Sequence, residues 1–182
     1  MEQFDQLTNK HIDFIKAQQM YFVASAGAEG RVNLSPKGLN SFSISDSNTV
    51  HWLNLTGSGN ETAAHVLENQ RMTIMFCSFT KQPLILRLFG EATMVYKDQP
   101  GWDDLVEKFP ENIGSRQIFT LAIEMVQTSC GYGVPYYDFV SERDTLNKWA
   151  EKKQSKLGLK KYIKDNNSLS IDGKDTGLSV LD

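Results

Sequence analysis

The sequence contains few of the residues that commonly build metal and disulfide sites. Its two cysteines, Cys77 and Cys130, lie far apart and form no CxxC pair, which disfavours both a disulfide scaffold and a cysteine-based zinc site. Its three histidines, His11, His51 and His65, have no metal-ligand spacing such as HExxH, so the sequence predicts no zinc or iron site. A GxSxG elbow is also absent, which disfavours a hydrolase.

Long apolar runs and a strong net charge are missing too. The N-terminal segment MEQFDQLTNKHIDFIK carries charges throughout, so we predict no signal peptide, no membrane span and a cytoplasmic location. A net charge of −3 gives no overall attraction to nucleic acid or to an anionic membrane, and we expect neither as a partner. We interpret a basic stretch near the C-terminus as a solvated helix face, because RRM, KH and zinc-finger patterns are absent. Its residues are Lys152, Lys153, Lys156, Lys160, Lys161 and Lys164.

The composition and periodicity that are present indicate a folded, mainly β protein. Hydrophobic residues make up 40% and charged residues 23% of the 182 residues, which is ordinary for a globular domain. Apolar segments predict about six or seven strands and roughly three short helices, an α+β pattern that suits a small barrel. No repeat or linker divides the chain. We therefore predict one domain over residues 1–182, with an N-terminal helix at 8–19, a barrel at about 20–137, and a C-terminal helix and tail at 138–182.

Strand and helix boundaries follow from where the apolar periodicity begins and ends. The predicted strands cover residues 20–26, 31–38, 41–44, 49–55, 71–79, 84–96 and 117–129. After the N-terminal helix, further helical segments are predicted at residues 62–68, 100–109 and 142–157.

The stretch LNLTGSGNETAAHV, residues 53–66, is predicted to form a strand, a tight turn and the start of a helix. The first turn of a helix has unpaired N–H groups and a partial positive charge, so an anion can bind there. Glycines in the turn let a ligand approach the backbone, and polar side chains add donors. These features predict a phosphate cradle formed by Gly57, Ser58, Gly59, Asn60 and Thr62. The alternative is a glycine turn with Asn60 or Thr62 as the N-cap, which needs no ligand.

This stretch does not match the stricter phosphate-binding templates. It lacks the third glycine of GxGxxG and the GK[ST] ending of a P-loop. The sequence therefore predicts neither a dinucleotide-binding fold nor a nucleoside triphosphatase.

The segment RVNLSPKG alternates strictly, so its side chains point to two different faces of a strand. Arg31, Asn33, Ser35 and Lys37 share the polar face. They predict a row of donors facing a ligand, with Lys37 as the cation that a phosphate at the cradle would need. A half-buried strand with a solvated polar face is the alternative.

Arg87 stands alone in an apolar strand, and a buried guanidinium there needs an anionic or carbonyl partner. We expect a carboxylate such as Glu91 or Glu124, with a ligand as the alternative. The segment CGYGVPYY, residues 130–137, is an aromatic, glycine-rich turn that can line a pocket for a flat ring or serve as a packing corner. His65 could contact a ligand, although a packed helical histidine is the interpretation we favour.

Five segments, RVNLSPKG, LTGSGNETAAHV, RMTIMFCSF, LRLFGEA and SCGYGVP, occur in this order over residues 21–137. Together they resemble the pyridoxamine 5′-phosphate oxidase-like family of FMN-binding split barrels, and SIDG near the C-terminus resembles a family ending. The resemblance implies a six-stranded split β-barrel with short flanking helices. It also implies a homodimer with FMN bound at the dimer interface.

Carried onto this sequence, the resemblance implies a set of cofactor-binding residues. Two segments match those that hold the FMN phosphate and ribityl chain, and two further regions match positions near the flavin or the partner chain. The first set is Asn33, Ser35, Lys37, Ser58, Gly59, Asn60 and Thr62, and the second is Arg87, Cys130 and Tyr132.

Two departures from the family pattern concern the named reaction. Pyridoxamine-phosphate oxidases carry Ser-Arg-Lys at the cradle, where this chain has Asn60-Glu61-Thr62. They also end in Arg-Leu-x-Pro, where this chain has Ser179-Val180-Leu181-Asp182. The resemblance therefore implies FMN binding, and these departures disfavour vitamin B6 oxidation.

The predicted function is a homodimeric FMN-dependent oxidoreductase that acts on a small molecule or takes electrons from a donor such as NAD(P)H. No residue stands out as a general base; Tyr132 and His65 are named as guesses, and the alternative is that the flavin needs none. One alternative is the same barrel holding a deazaflavin or haem. Another is a protein that binds flavin without turnover, or a regulatory protein that docks a partner through its lysine-rich stretch.

Overall fold

The computed structural model of the protein describes residues 1–97, 99–154 and 158–178, which contain one eight-stranded antiparallel sheet and five helices. The strands are β1 (Glu2–Phe4), β2 (Tyr21–Ser25), β3 (Asn33–Lys37), β4 (Phe42–Ile44), β5 (Thr49–Leu55), β6 (Arg71–Cys77), β7 (Ile85–Tyr96) and β8 (Ser115–Ser129). The helices are α1 (Asn9–Lys16), α2 (Glu61–Asn69), α3 (Trp102–Val106), α4 (Thr145–Gln154) and α5 (Gly158–Asn167).

The sheet runs in the order β3-β2-β6-β7-β8-β5-β4, and β1 pairs with β8. The longest strands, β7 and β8, form its centre, and their pairing shifts register between Phe89 and Gly90. A side chain at Gly90 would place its Cβ 1.9 Å from the carbonyl oxygen of Ala122, so only glycine allows the two backbones to approach this closely. Such irregularities bend strands and help a sheet to curl.

The curled sheet encloses one large apolar cluster. Alternate side chains of its strands point inward, among them the buried Val23, Ile74, Leu88 and Leu121. Helix α2 packs against β2, β6 and β7 and contributes Val66 to the cluster. This packing fixes the N-terminal end of α2 beside the loop that follows β5.

The predicted fold class is confirmed, because the sheet curls into a half-barrel with short helices. The implied strand number is wrong: the described residues form eight strands rather than six, because β1 and β4, each three residues long, extend the sheet. Strand β1 was not predicted, because the tripeptide EQF is too short to show a periodicity. It pairs with β8, and its Phe4 packs against the core.

The helix predicted at residues 100–109 is shorter in the structure, where α3 covers Trp102–Val106. Lys152, Lys160, Lys161 and Lys164 of the basic stretch are exposed on α4 and α5, whereas Lys156 lies outside the described residues. Within the described ranges, no helix has both the length and the apolar character needed to cross a membrane.

Candidate functional site

A cavity of about 700 Å³ lies where β3, the loop after β5, the start of α2 and the start of β8 meet. The residues just after α5 close its remaining side. The lining includes Arg31, Asn33, Ser35, Lys37, Trp52, Asn54, Gly57, Ser58, Gly59, Asn60, Glu61, Thr62, Arg116, Asn166, Leu169, Ser170 and Ile171. Two strand faces and one helix end therefore bring polar groups from distant parts of the sequence to one place.

The N-terminus of α2 opens towards this cavity without a side-chain cap. Asn60 occupies the N-cap position, but its side chain makes no capping hydrogen bond. Its Nδ2 donates instead to the carbonyl of Asn167 at 3.4 Å, and its Oδ1 accepts from Asn54 Nδ2 at 3.5 Å. No atom lies within 4 Å of where a Cβ on Gly57 would be, so the loop has open space beside it. The alternative of a self-capped turn is therefore wrong.

The polar face of β3 supplies the second wall. Asn33, Ser35 and Lys37 all line the cavity, as the strict alternation of the segment predicts. The ammonium of Lys37 lies 4.7 Å from the centroid of the Trp52 ring. Burial, together with the nearby charge of Arg116, lowers the pKa of Lys37 to about 8.

Arg116, at the start of β8, supplies a second cation. Its side chain is only 3% exposed, and its Nη2 donates to the carbonyl of Gly59 at 3.1 Å. Its Nε and Nη1 have no hydrogen-bond partner among the described residues. Burial lowers the pKa of Arg116 to about 10. A buried guanidinium with two unsatisfied nitrogens is costly, and an anion in the cavity would supply the missing acceptors.

The acidic residue in the lining offsets only one of these two cations. Glu61 is the one carboxylate among the described lining residues, and its Oε2 accepts from the backbone N–H of Ile171 at 2.9 Å. Arg31, at the mouth, forms an ion pair with Asp172. The cavity therefore keeps an excess of positive charge, which favours an anionic ligand.

A chain of buried hydrogen bonds leads away from the cavity through Thr62. Asn33 Nδ2 donates to Thr62 Oγ1 at 3.1 Å, and Ser25 Oγ donates to the same oxygen at 3.2 Å. Ser25 Oγ also lies 3.0 Å from His65 Nδ1. His65 is buried and does not line the cavity itself, so it has no direct access to a ligand there.

The end of α5 and the segment that follows it hold the cradle loop in place. Asn167 is 0% exposed, and its Nδ2 donates to the carbonyl of Gly57 at 3.1 Å. Its own carbonyl accepts from Thr176 Oγ1 at 2.6 Å. Farther along, Lys174 forms an ion pair with Glu68 of α2. The predicted tail is therefore a structured wall of the site.

Most predicted site residues meet at this cavity, and three do not. Asn33, Ser35, Lys37, Ser58, Gly59, Asn60 and Thr62 all line it. Arg87, Cys130 and Tyr132 lie elsewhere. Arg87 donates to Ser129 Oγ at 3.2 Å, so the expectation of Glu91 or Glu124 as its partner is wrong. Cys130 is exposed, and Tyr132 is 82% exposed.

Arg116 and Asn167 are the site residues that sequence reasoning missed. We expected β8 to begin at Gln117, which left Arg116 in the preceding loop. Arg116 stands out little in the sequence, because the polar residues Ser115 and Gln117 flank it. Asn167 gave no signal, because its partners on the cradle loop lie more than a hundred residues away in the sequence.

The sequence matches the family model of pyridoxamine 5′-phosphate oxidase over residues 7–130. The chain belongs to this family. Its curated relative, the pyridoxamine 5′-phosphate oxidase family protein ustO from Aspergillus flavus, is 35% identical and aligns with 93% of this chain and 75% of its own.

Solved structures share the fold of this pyridoxamine 5′-phosphate oxidase family chain. A proposed pyridoxamine 5′-phosphate oxidase from Lactobacillus delbrueckii is 18% identical with a TM-score of 0.56, over 70% of this chain and 99% of its own. The haem storage protein HutZ from Vibrio cholerae is 20% identical with a TM-score of 0.50, over 69% of this chain and 94% of its own.

Proposed function

We propose that the protein binds FMN in the cavity and acts as a homodimeric FMN-dependent oxidoreductase. The observation that carries this proposal is Arg116, whose unsatisfied nitrogens are buried beside an uncapped helix N-terminus. A monophosphate would accept hydrogen bonds from Arg116 and from the N–H groups of α2, and would neutralise the charge of Lys37. Membership of the oxidase family supports the same ligand.

The charge of the cavity lining suits a phosphate, as does the number of its hydrogen-bond donors. A phosphate monoester carries about −1.5 to −2 charges at neutral pH. Lys37 and Arg116 provide two cations, and the pKa of each is lowered in the ligand-free chain. A bound phosphate would raise the pKa values of both Lys37 and Arg116 again. The hydroxyl of Ser58 and the amide of Asn60, at the same loop, suit the phosphate or the ribityl hydroxyls.

The cavity size agrees with one cofactor. A volume of about 700 Å³ lies within the usual range for small-molecule and cofactor sites. FMN bound there would supply a flavin ring that accepts and donates hydride or single electrons. The residues of the chain itself would bind the phosphate end of FMN and orient its flavin ring. No residue of the described lining is placed as a general base, and the substrate is unassigned.

The surface supports dimer formation. Four exposed aromatic residues follow β8 in the sequence, namely Tyr132, Tyr136, Tyr137 and Phe139. Aromatic residues are enriched at protein interfaces. In a dimer formed through this segment, Tyr132 and Cys130 would lie at the interface rather than at the cavity of their own chain.

Haem is the competing ligand, because HutZ stores it. Haem iron is held by histidine, cysteine, methionine or tyrosine. The described residues that line the cavity include none of these four types. The cavity is therefore better suited to a phosphate-bearing flavin than to haem.

The test is cofactor identification followed by titration. The purified protein should have a flavin absorption spectrum, and acid should release FMN rather than a deazaflavin or haem. Lys37→Met should weaken FMN binding, followed by fluorescence quenching, about ten- to a hundredfold, because a charge-assisted hydrogen bond is lost. Lys97→Met is the matched control, since Lys97 is exposed outside the cavity.

Two further measurements separate the parts of the proposal. Sedimentation should give a dimer, and NAD(P)H should reduce the bound flavin with electrons passed to an acceptor. A colourless protein that leaves the fluorescence of added FMN unchanged would refute the FMN proposal. Bound flavin that no donor reduces would leave FMN binding intact and refute the enzymatic part.

A further inference from the structure

The direction of the hydrogen bonds around Thr62 determines what its hydroxyl can do. A threonine hydroxyl has one proton to donate and two lone pairs that accept. Thr62 Oγ1 already accepts from Asn33 Nδ2 and from Ser25 Oγ. Both lone pairs are therefore used, and only the proton remains. Within residues 1–97, 99–154 and 158–178, Thr62 Oγ1 donates to no acceptor, and it lies on the cavity wall.

The fold places these groups together by register and by helix spacing. Ser25 and Asn33 are directly opposite each other in the β2–β3 pair, so both reach the same oxygen of α2. Thr62 and His65 are three residues apart on α2 and share one face of the helix. All four side chains are at least partly buried, and Ser25, Thr62 and His65 are fully so.

The next hydrogen bond in the chain determines which ring nitrogen of His65 carries a proton. Ser25 gives its single proton to Thr62, so its contact with His65 Nδ1 requires that nitrogen to be the donor. Proton order then runs from His65 Nδ1–H to Ser25, from Ser25 to Thr62, and from Thr62 into the cavity. If His65 carried its proton only on Nε2, Ser25 would donate to the ring and Thr62 could turn its own proton towards Ser25.

We infer that His65 is a positioning residue that, through Ser25, commits the Thr62 hydroxyl to donate to an oxyanion in the cavity. With the proposed function, on which this part rests, that oxyanion is the FMN phosphate. His65 never touches the ligand. It selects for ligands that present an acceptor to Thr62, and thus for FMN over riboflavin, which lacks the phosphate.

The first test needs no cofactor. Long-range proton–nitrogen correlation NMR of the ligand-free protein, with His65→Asn used to assign the signals, should show a protonated Nδ1 on His65. An unprotonated Nδ1 would overturn the inference and leave the FMN proposal untouched.

The second test compares FMN with riboflavin by fluorescence titration. Thr62→Val keeps the shape of the side chain and should weaken FMN binding about ten- to a hundredfold while leaving riboflavin binding nearly unchanged. His65→Leu should weaken FMN binding about tenfold in the wild-type background and hardly at all when Thr62→Val is also present. His65→Asn retains a donor near the position of Nδ1 and should restore most of the affinity.

A second buried histidine–threonine pair supplies the matched control. His51 Nδ1 lies 2.9 Å from Thr120 Oγ1, and neither residue lines the cavity. His51→Leu and Thr120→Val should alter the unfolding midpoint and leave FMN binding unchanged. Equal losses of FMN and riboflavin affinity in the His65 and Thr62 variants would overturn the inference. If wild-type protein binds no FMN, the proposed function fails, and the NMR signal alone decides the proton order.

Discussion

Replacing Arg116 with methionine should make the ligand-free protein more stable and its FMN complex weaker. The opposite signs arise because Arg116 is buried without enough partners until an anion binds. Methionine replaces the aliphatic stem of arginine with an unbranched, flexible side chain that carries no charge. The Arg116→Met variant therefore separates the cost of burying this cation from its benefit to the proposed ligand binding.

The magnitude of the stability gain follows from the pKa of Arg116. Burial lowers the pKa of Arg116 from its usual value to about 10, so the folded state carries the full cost of burying the charged form at every pH below about 10. At about 1.36 kcal/mol per pKa unit, the penalty is about 3 kcal/mol at neutral pH. Losing the hydrogen bond to Gly59 costs about 1 kcal/mol. The free energy of unfolding should therefore rise by about 2 kcal/mol.

The binding loss is estimated separately. One charge-assisted hydrogen bond contributes about 1.5–3 kcal/mol, so FMN affinity should fall about ten- to a hundredfold. Urea denaturation of the ligand-free protein and fluorescence titration with FMN measure the two quantities. Arg71→Met is the control, because Arg71 is exposed outside the cavity, and both quantities should stay unchanged. A less stable Arg116→Met variant that binds FMN normally would refute the reasoning.

Two further predictions concern pH and the bend of the sheet. Because burial and Arg116 lower the pKa of Lys37 to about 8 and bound phosphate raises it, FMN affinity should fall as pH rises through about 8, and binding above that pH should take up a proton. Calorimetry in two buffers with different ionisation enthalpies measures this uptake, and its absence would contradict the placement of the phosphate. Gly90→Ala should lower the free energy of unfolding by about 3 kcal/mol or more, because the new Cβ would lie 1.9 Å from Ala122. Gly133→Ala, where no atom lies within 4 Å, should change it by less than about 0.5 kcal/mol, and equal effects in urea denaturation would argue against the close approach.

Local patterns in the sequence predicted two walls of the cavity. The alternation around Asn33, Ser35 and Lys37 places all three on one face of a strand, because the side-chain period of a strand is two. The glycine turn before Ala63 predicts the start of a helix, and the structure begins α2 there. Both features depend only on neighbouring residues, so a single sequence is sufficient to find them.

Contacts between distant segments could not be predicted in the same way. Arg116 reaches a carbonyl 57 residues away, and no local periodicity encodes that pairing. The C-terminal segment has the composition of a loop, and its order comes from tertiary hydrogen bonds such as that between Ile171 and Glu61. The implied number of strands was wrong for a similar reason. Strand β1 is only three residues long and is defined by its pairing with the distant β8.

The wall contributed by residues 166–171 lies beyond the family match, which ends at residue 130. In a protein with this half-barrel, substitutions in such a stretch would reshape the cavity wall without altering the strands of the sheet. Substrate preference in such proteins is best sought by exchanging their C-terminal segments.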